Sequence, residues 1–291
     1  MDGSGELRTV LRTCWQVGVD GCTPVSRLNS DTYVIDSDAA RYVAVLVPAG
    51  RRRQFEAGLA VAERLAGTGL PSETPVRAAN GALCVPLDGT VVALLRCVDG
   101  RPLAETERHA WGHALGAVHR ALVGYSHPDL GRFHWVRPDA AHLGVVDWVR
   151  PVVAAAVEAV AKISVTDVLS YGVLHGDPVA GAFRVAGDSG RTGLVDWGAA
   201  GSGPLVYDLA CAVMHAGGPG AAAELIEGYV THGPVPADEV EAVLPTMLRF
   251  RHAVEADSAA RQVWAARLAG GVAHDTARLD RARQLCESAG A

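Results

Sequence analysis

The sequence predicts an α+β protein of two lobes, a small β-rich lobe followed by a larger helical one. Three observations carry this. β-branched runs and turn residues crowd the first third of the chain. Long apolar-periodic helices fill the rest. A Gly-Pro group, Asp99-Gly100-Arg101-Pro102, separates the two regimes as a natural hinge. The boundary is placed at residues 97/98, giving lobes of 1–97 and 98–291, and a cleft between lobes is a preferred place for a small-molecule site.

The elements follow in order. Leu7 to Val17 has the spacing of a short helix. Thr32 to Asp36 and Tyr42 to Val47 are strand-like runs parted by the polar turn Ser37-Asp38. Arg51 to Ala66 is helical, with Phe55, Leu59, Ala62 and Leu65 on one face, and Gly67 to Pro71 ends it. Leu83 to Pro86 and Val91 to Arg96 form a hairpin across Asp88-Gly89, a dipeptide suited to a tight turn. Beyond the hinge, Glu105 to Leu122 and Ala141 to Lys162 are helical. Leu174 to Val195 is a short β segment turning at Gly187-Asp188-Ser189-Gly190. Asp208 to His215, Ala221 to His232, Ala237 to Ala269 and Ala273 to Ser288 complete a helical lobe.

Composition narrows the function classes. The 291 residues are 49% apolar, ample for a core, and the formal net charge of −6 argues against nucleic acid or an anionic membrane as partner. No run of about 18 apolar residues could span a bilayer. Met1-Asp2-Gly3-Ser4-Gly5-Glu6 is polar and acidic, unlike a signal peptide. The six cysteines form no C-x-x-C pair and have no zinc spacing, as in a reduced, cytoplasmic protein. Lys162 is the only lysine, so any task that needs an ammonium group has one candidate. No G-x-S-x-G, Walker loop or G-x-G-x-x-G occurs, which leaves hydrolase and Rossmann readings without support.

Two acidic motifs carry the chemistry. His175-Gly176-Asp177 and, nineteen residues on, Asp196-Trp197-Gly198 each end a short apolar run. Strands entering both motifs would set two carboxylates at neighbouring strand ends. Phosphoryl transfer uses such a pair: one carboxylate accepts or orients the proton of the attacking hydroxyl, the other holds Mg²⁺ against the nucleotide phosphates. His175 would hold the loop by hydrogen bonds.

At these residues the chain resembles the aminoglycoside phosphotransferase, choline kinase and homoserine kinase superfamily, which has a protein-kinase-like fold. The resemblance extends to Leu115-Gly116-Ala117-Val118-His119-Arg120-Ala121-Leu122, to Val98 through Leu103, and to Gly203 through Ala210, where Asp208 would anchor the loop structurally. It spans roughly residues 25 to 265. It implies Asp177 as the catalytic acid with His175 beside it, Asp196 as the metal ligand, and Mg²⁺ with ATP or GTP as cofactors. Asn29, Ser30, Asp31 and Thr32 would lie over the nucleotide phosphates. The acceptor would be a hydroxyl of an antibiotic, amino alcohol or amino acid, or a Ser or Thr of a biosynthetic peptide.

Three family positions are altered. Ala182 stands where the family has a metal-binding Asn. Val45 stands where a strand lysine would grip the α/β-phosphates. The glutamate that would pair with that lysine falls near Gly58. Loss of both members of an ion pair is coherent, because a buried glutamate without its lysine would cost several kcal/mol. Two readings stay open: an active transferase in which Arg51 and its neighbours Arg52 and Arg53 meet phosphate in bidentate fashion, or a silent kinase fold that binds a peptide or partner protein. The Arg trio also reads as a solvated helix start. Asp188 is a conceivable extra metal ligand. The stretch Arg249, Arg251, His252, Glu255 and Asp257 reads as a solvated helix face before it reads as a cationic-acceptor site. His119 and Trp197 are expected to pack.

Overall fold

The computed structural model describes residues 3–26, 30–38, 40–133, 135–166, 168–187, 190–269 and 276–288. In chain order, α1 (Gly3–Trp15) precedes strands β1 (Gly21–Ser26), β2 (Asp31–Ser37) and β3 (Ala40–Pro48). Next come α2 (Arg52–Ala66), β4 (Pro75–Val76), β5 (Cys84–Leu87), β6 (Thr90–Arg96) and β7 (Arg101–Pro102). Then follow α3 (Arg108–Ala121), β8 (Gly131–Arg132), α4 (Val149–Thr166), β9 (Tyr171–Leu174), β10 (Phe183–Val185), β11 (Thr192–Leu194) and β12 (Gly201–Pro204). Helices α5 (Val206–His215), α6 (Ala223–His232), α7 (Ala237–Leu268) and α8 (Thr276–Ser288) end the chain. The α+β class expected from the pattern is the one observed. Among the described residues no helix is long and apolar enough to cross a membrane.

The residues group into two compact units. The β-rich one comprises residues 1–105, 121–131 and 180–201; the helical one comprises 106–120, 132–179 and 202–291. The β-rich unit is built on an antiparallel sheet of order β1-β2-β3-β6, with β5 and β4 sharing the far edge of β6. Strand alternation sorts the side chains of β3 onto two faces. Tyr42 and Ala44 join Leu7, Leu11 and Trp15 of α1. Val43, Val45 and Val47 join Phe55 and Leu59 of α2. The sheet is thus covered on both faces, which explains the nearly unbroken apolar run Tyr42–Val47. The β5–β6 hairpin turns at Asp88 (φ 39°) and Gly89 (φ 74°), two successive positive φ values of the kind that match strand twist.

Strand β1 carries Gly21 and Pro24, residues that give a strand little local signal. Among the described residues it pairs only with β2, and Pro is tolerated on an edge. Helix α4 starts at Val149, later than expected. The segment before it is a 3₁₀ turn, Ala141–Gly144, and Arg150 donates to the Pro138 and Ala140 carbonyls at 2.6 and 3.0 Å.

Within the β-rich unit, α2 meets the Asp196-Trp197-Gly198 turn through Gly58. A Cβ placed on Gly58 would sit 2.3 Å from the Trp197 carbonyl oxygen. The neighbour is backbone, which cannot swing aside. The position where a pairing glutamate was sought therefore has no room for any side chain. Val45 is buried against α2 in the same apolar layer. Trp197 is buried as expected, and its Nε1 donates to Ser72 Oγ and the Leu194 carbonyl.

In the helical unit α7 is the central element, packed against α4, α5 and α8, while β12 pairs with β9. Gly58→Ala is expected to lower stability by about 1–3 kcal/mol, because the added methyl forces the turn off α2. Urea unfolding checks this, and an unchanged midpoint would show that the contact is soft.

Candidate active site

The His175-Gly176-Asp177 loop follows β9. Gly176 has φ +89°, a left-handed conformation that the missing Cβ makes accessible. The loop hangs from one carboxylate, that of Asp208 on α5. Its Oδ2 accepts the His175 N–H at 2.7 Å, and its Oδ1 accepts the Gly176 N–H at 3.0 Å. Asp208 is completely buried. His119 Nε2 lies 3.2 Å from Oδ2, and His119 Nδ1 lies 2.8 Å from the Tyr229 hydroxyl. The expectation that His119 packs and that Asp208 anchors the loop matches this arrangement. Trp111 Nε1 adds a bond to the Pro178 carbonyl at 3.0 Å. His175 is buried, and its Nδ1 accepts the Asp177 N–H at 3.4 Å.

Asp177 is half-buried, and its surroundings are asymmetric. His215 Nε2 lies 3.2 Å from Oδ1, Cys211 Sγ donates to the same oxygen at 3.4 Å, and Arg251 Nη2 lies 3.6 Å from it. Among the described residues no hydrogen bond or ion pair reaches Oδ2. Three groups on one oxygen restrain the rotation of the carboxylate and leave the other without a hydrogen bond. Burial by itself would raise the Asp177 pKa. The His215 hydrogen bond and the charge of Arg251 outweigh it, with further help from His175, and hold the carboxyl well below the usual carboxylate range.

Arg251 is buried on α7. It bonds Glu255 Oε1 at 2.6 Å and approaches Cys211 Sγ with Nε at 3.2 Å; Arg278 backs Glu255 at 3.5 Å. The reading of this stretch as a solvated helix face is thereby corrected. Only Arg249 behaves so. Arg251, His252 and Asp257 are buried, and Asp257 is paired with His142 at 2.6 Å and Arg261 at 2.9 Å. Buried charges persist when each finds a partner: Arg251 has Asp177 of the loop beside Glu255 of its own helix, and Asp257 has His142 beside Arg261 of its own helix. Helical spacing alone could not reveal that. Asp177, Cys211 and His215 offer ligand atoms within 4.8 Å of one another. The Arg251 guanidinium lies against two of the three, so a fixed cation already holds the place of a metal ion.

The other acid lies in the β-rich unit. Asp196 adopts a left-handed conformation, φ 70° and ψ 58°, uncommon for a residue with a Cβ but better tolerated by aspartate than by most. Its N–H donates to Glu73 Oε2 at 3.3 Å. Glu73 is buried at 6% exposure, and sequence reasoning missed it, since no motif surrounds it. Arg51 Nη2 reaches the Gly198 carbonyl at 3.4 Å, so the guanidinium stands at the same turn. Ala182 is buried and offers no ligand atom. A half-buried aspartate beside a second carboxylate is an oxygen donor set that suits Mg²⁺, which often takes only one or two protein carboxylates and completes its shell with water and phosphate. Ser30 Oγ lies 3.0 Å from Thr32 Oγ1, Asp31 opens β2 on the exposed side, and Thr32 is buried opposite Val45. Asn29 and Asp188 lie outside the described residues. Glu56 bonds Arg52 and Cys84, and Glu63 bonds Arg77, so neither faces Val45 as a lysine partner would.

Two expectations follow. Asp208→Ala leaves two buried N–H groups without acceptors, at roughly 1–3 kcal/mol for each, and urea unfolding reads the sum. Because the folded-state pKa of Asp177 lies below the unfolded one, its contribution to stability is complete above about pH 5 and fades as pH falls further. Wild type is therefore expected to lose its advantage over Asp177→Asn between pH 5 and pH 2, and a constant difference would remove the assigned ion pairing.

The model of the phosphotransferase enzyme family matches residues 21–241. An uncharacterized protein of Deinococcus radiodurans is 29% identical over 200 residues, covering 62% of this chain, and the match spans 58% of that relative's length. Among solved structures, an amicoumacin kinase in complex with AMP-PNP and Ca²⁺ superposes with TM-score 0.77 at 17% identity, over 99% of this chain and 94% of the other. A microcompartment-associated aminopropanol kinase gives TM-score 0.77 and 17% identity, over 99% and 96%. These likenesses show a protein-kinase-like fold, and the family match places the chain by sequence as well: it belongs to the phosphotransferase enzyme family.

Proposed function

We propose that the chain is an active phosphotransferase that moves the γ-phosphate of ATP or GTP to a hydroxyl. The observation that carries this is the one-sided grip on Asp177. Donors crowd Oδ1 and leave Oδ2 for an acceptor. The acceptor hydroxyl would bond to Oδ2, its oxygen would form the new bond to phosphorus, and its proton would pass to the carboxylate as the bond to the β-phosphate breaks. Held ionised by His215 and Arg251, Asp177 is a weak base, suited to orienting the hydroxyl in a loose transition state that needs little proton removal. His175 shapes the loop and does not react.

Asp196 would hold Mg²⁺, with Glu73 behind it. That ion, when bound, supplies charge neutralisation for the phosphates. Arg51 would take over the phosphate contact that a lysine makes elsewhere in the family, with Ser30, Asp31 and Thr32 near the phosphates. Residues 1–97 would serve the nucleotide, and the chain from 98 would serve catalysis and the acceptor. The acceptor classes stay those of the sequence reading: an antibiotic, an amino alcohol or amino acid, or a Ser or Thr of a biosynthetic peptide. The solved relatives named above, kinases of amicoumacin and aminopropanol, support the first two.

Ala182, Val45 and Gly58 favour a second reading, a silent fold that binds a peptide or partner protein. Nucleotide binding separates the two. ATP or GTP with Mg²⁺ is expected to raise the melting midpoint. Asp196→Ala and Arg51→Ala should weaken binding about tenfold or more, since both remove contacts to charged groups. Asp177→Ala should spare binding and lower transfer by about 10²–10⁴-fold. A chain that neither nucleotide shifts is the silent protein of the second reading.

A further inference from the structure

Helix α3 carries His109 and His113 four residues apart, so both rings stand on one face, and α6 ends on His232. Glycines bring the three together. A Cβ on Gly112 would lie 1.9 Å from the Leu225 carbonyl oxygen, one on Gly228 2.4 Å from the His109 carbonyl oxygen, and one on Gly116 2.7 Å from the Gly233 nitrogen. The two helices therefore meet backbone to backbone. Arg120 of α3 fixes the end of α6 by donating to the His232 and Gly233 carbonyls at 2.8 and 2.7 Å.

In this setting the His232 ring centre lies 4.0 Å from that of His113 and 6.4 Å from that of His109. His232 Nδ1 lies 3.2 Å from the Gly228 carbonyl. A carbonyl can only accept, so Nδ1 carries a proton, and in the neutral ring the lone pair is on Nε2. A backbone carbonyl orienting one ring nitrogen while the other looks outward is the usual support of a metal-binding histidine. The carbonyl end of α6 adds negative potential.

We propose that His109, His113 and His232 form a binding site for a borderline transition-metal dication, with Zn²⁺ as the reference ion, which clasps α3 to the end of α6. Zn–N bonds of about 2.0–2.1 Å put the centres of imidazoles sharing an ion about 5 Å apart, and the two measured separations straddle that value. The ring nitrogens do not converge in the resting rotamers. His109 and His113 are exposed, and side-chain rotation closes the difference. Three imidazoles without a carboxylate select Zn²⁺, Ni²⁺ or Cu²⁺ over Mg²⁺ and Ca²⁺. The site is separate from the residues assigned to phosphoryl transfer, so it stands or falls independently of that reading.

Calorimetric titration of the metal-stripped full chain with ZnCl₂ at neutral pH tests it. One ion per chain should bind, the melting midpoint should rise, and MgCl₂ should give no such signal. The double variant His109→Asn/His113→Asn, and separately His232→Asn, should lose affinity by about tenfold or more with an unchanged circular-dichroism spectrum. Cys211→Ser should bind as the wild type does. Zn²⁺ affinity untouched in both histidine variants, affinity lost in Cys211→Ser, or no binding up to about 1 mM would each overturn the assignment.

Discussion

The buried carboxylate of Asp208 is the constraint on which the His175-Gly176-Asp177 loop depends. It accepts the backbone N–H groups of His175 and Gly176 and faces His119, which in turn faces Tyr229. A fully buried charge is tolerated only when it is paired or hydrogen-bonded, and here both oxygens are engaged by groups drawn from α3 and the loop itself. The consequence is geometric. With its two preceding amides tied down and Gly176 in a left-handed conformation, the loop delivers Asp177 in one orientation, and the ring of His215, the thiol of Cys211 and the guanidinium of Arg251 then select which oxygen is left without a hydrogen bond.

A second constraint governs the Asp196-Trp197-Gly198 turn. Elsewhere in the family a lysine–glutamate pair spans this region. Here Gly58 lets α2 lie directly on the Trp197 carbonyl, and Val45 fills the apolar layer beneath. The two changes form one rearrangement: with the lysine gone, a glutamate would be an unpaired buried charge, and with the glutamate gone the helix can approach the turn. Positive charge returns from another quarter, as Arg51 reaches the Gly198 carbonyl from the start of α2. The turn keeps Asp196 in its left-handed conformation and gains a buried acid, Glu73, at its amide.

Much of the fold was legible in the chain. Apolar periodicity marked α2, α3 and α7 within a few residues, and Asp88-Gly89 marked the hairpin, because these signals are local and each element satisfies its own backbone. Elements held chiefly by neighbours were harder to read. Strand β1, with Gly21 and Pro24, has little intrinsic preference and exists because β2 offers it an edge. The 3₁₀ turn at Ala141–Gly144 replaced a helical start because Arg150 binds the carbonyls upstream of it. The charges from Arg251 to Asp257 looked solvated because their partners, Asp177 and His142 among them, lie far away along the chain.

By itself the sequence determined the order of motifs, the identity of the two acids, the need for Asp208, and the absence of a lysine and an asparagine where the family has them. Those are properties of residue type and spacing, and folding cannot change them. Only the tertiary structure decided which oxygen of Asp177 is available, that Gly58 leaves no room for a glutamate, and that Arg251 is a buried partner and not a surface charge. A carboxylate's reactivity is set by the donors around it, and those donors come from helices that meet only when the chain has folded.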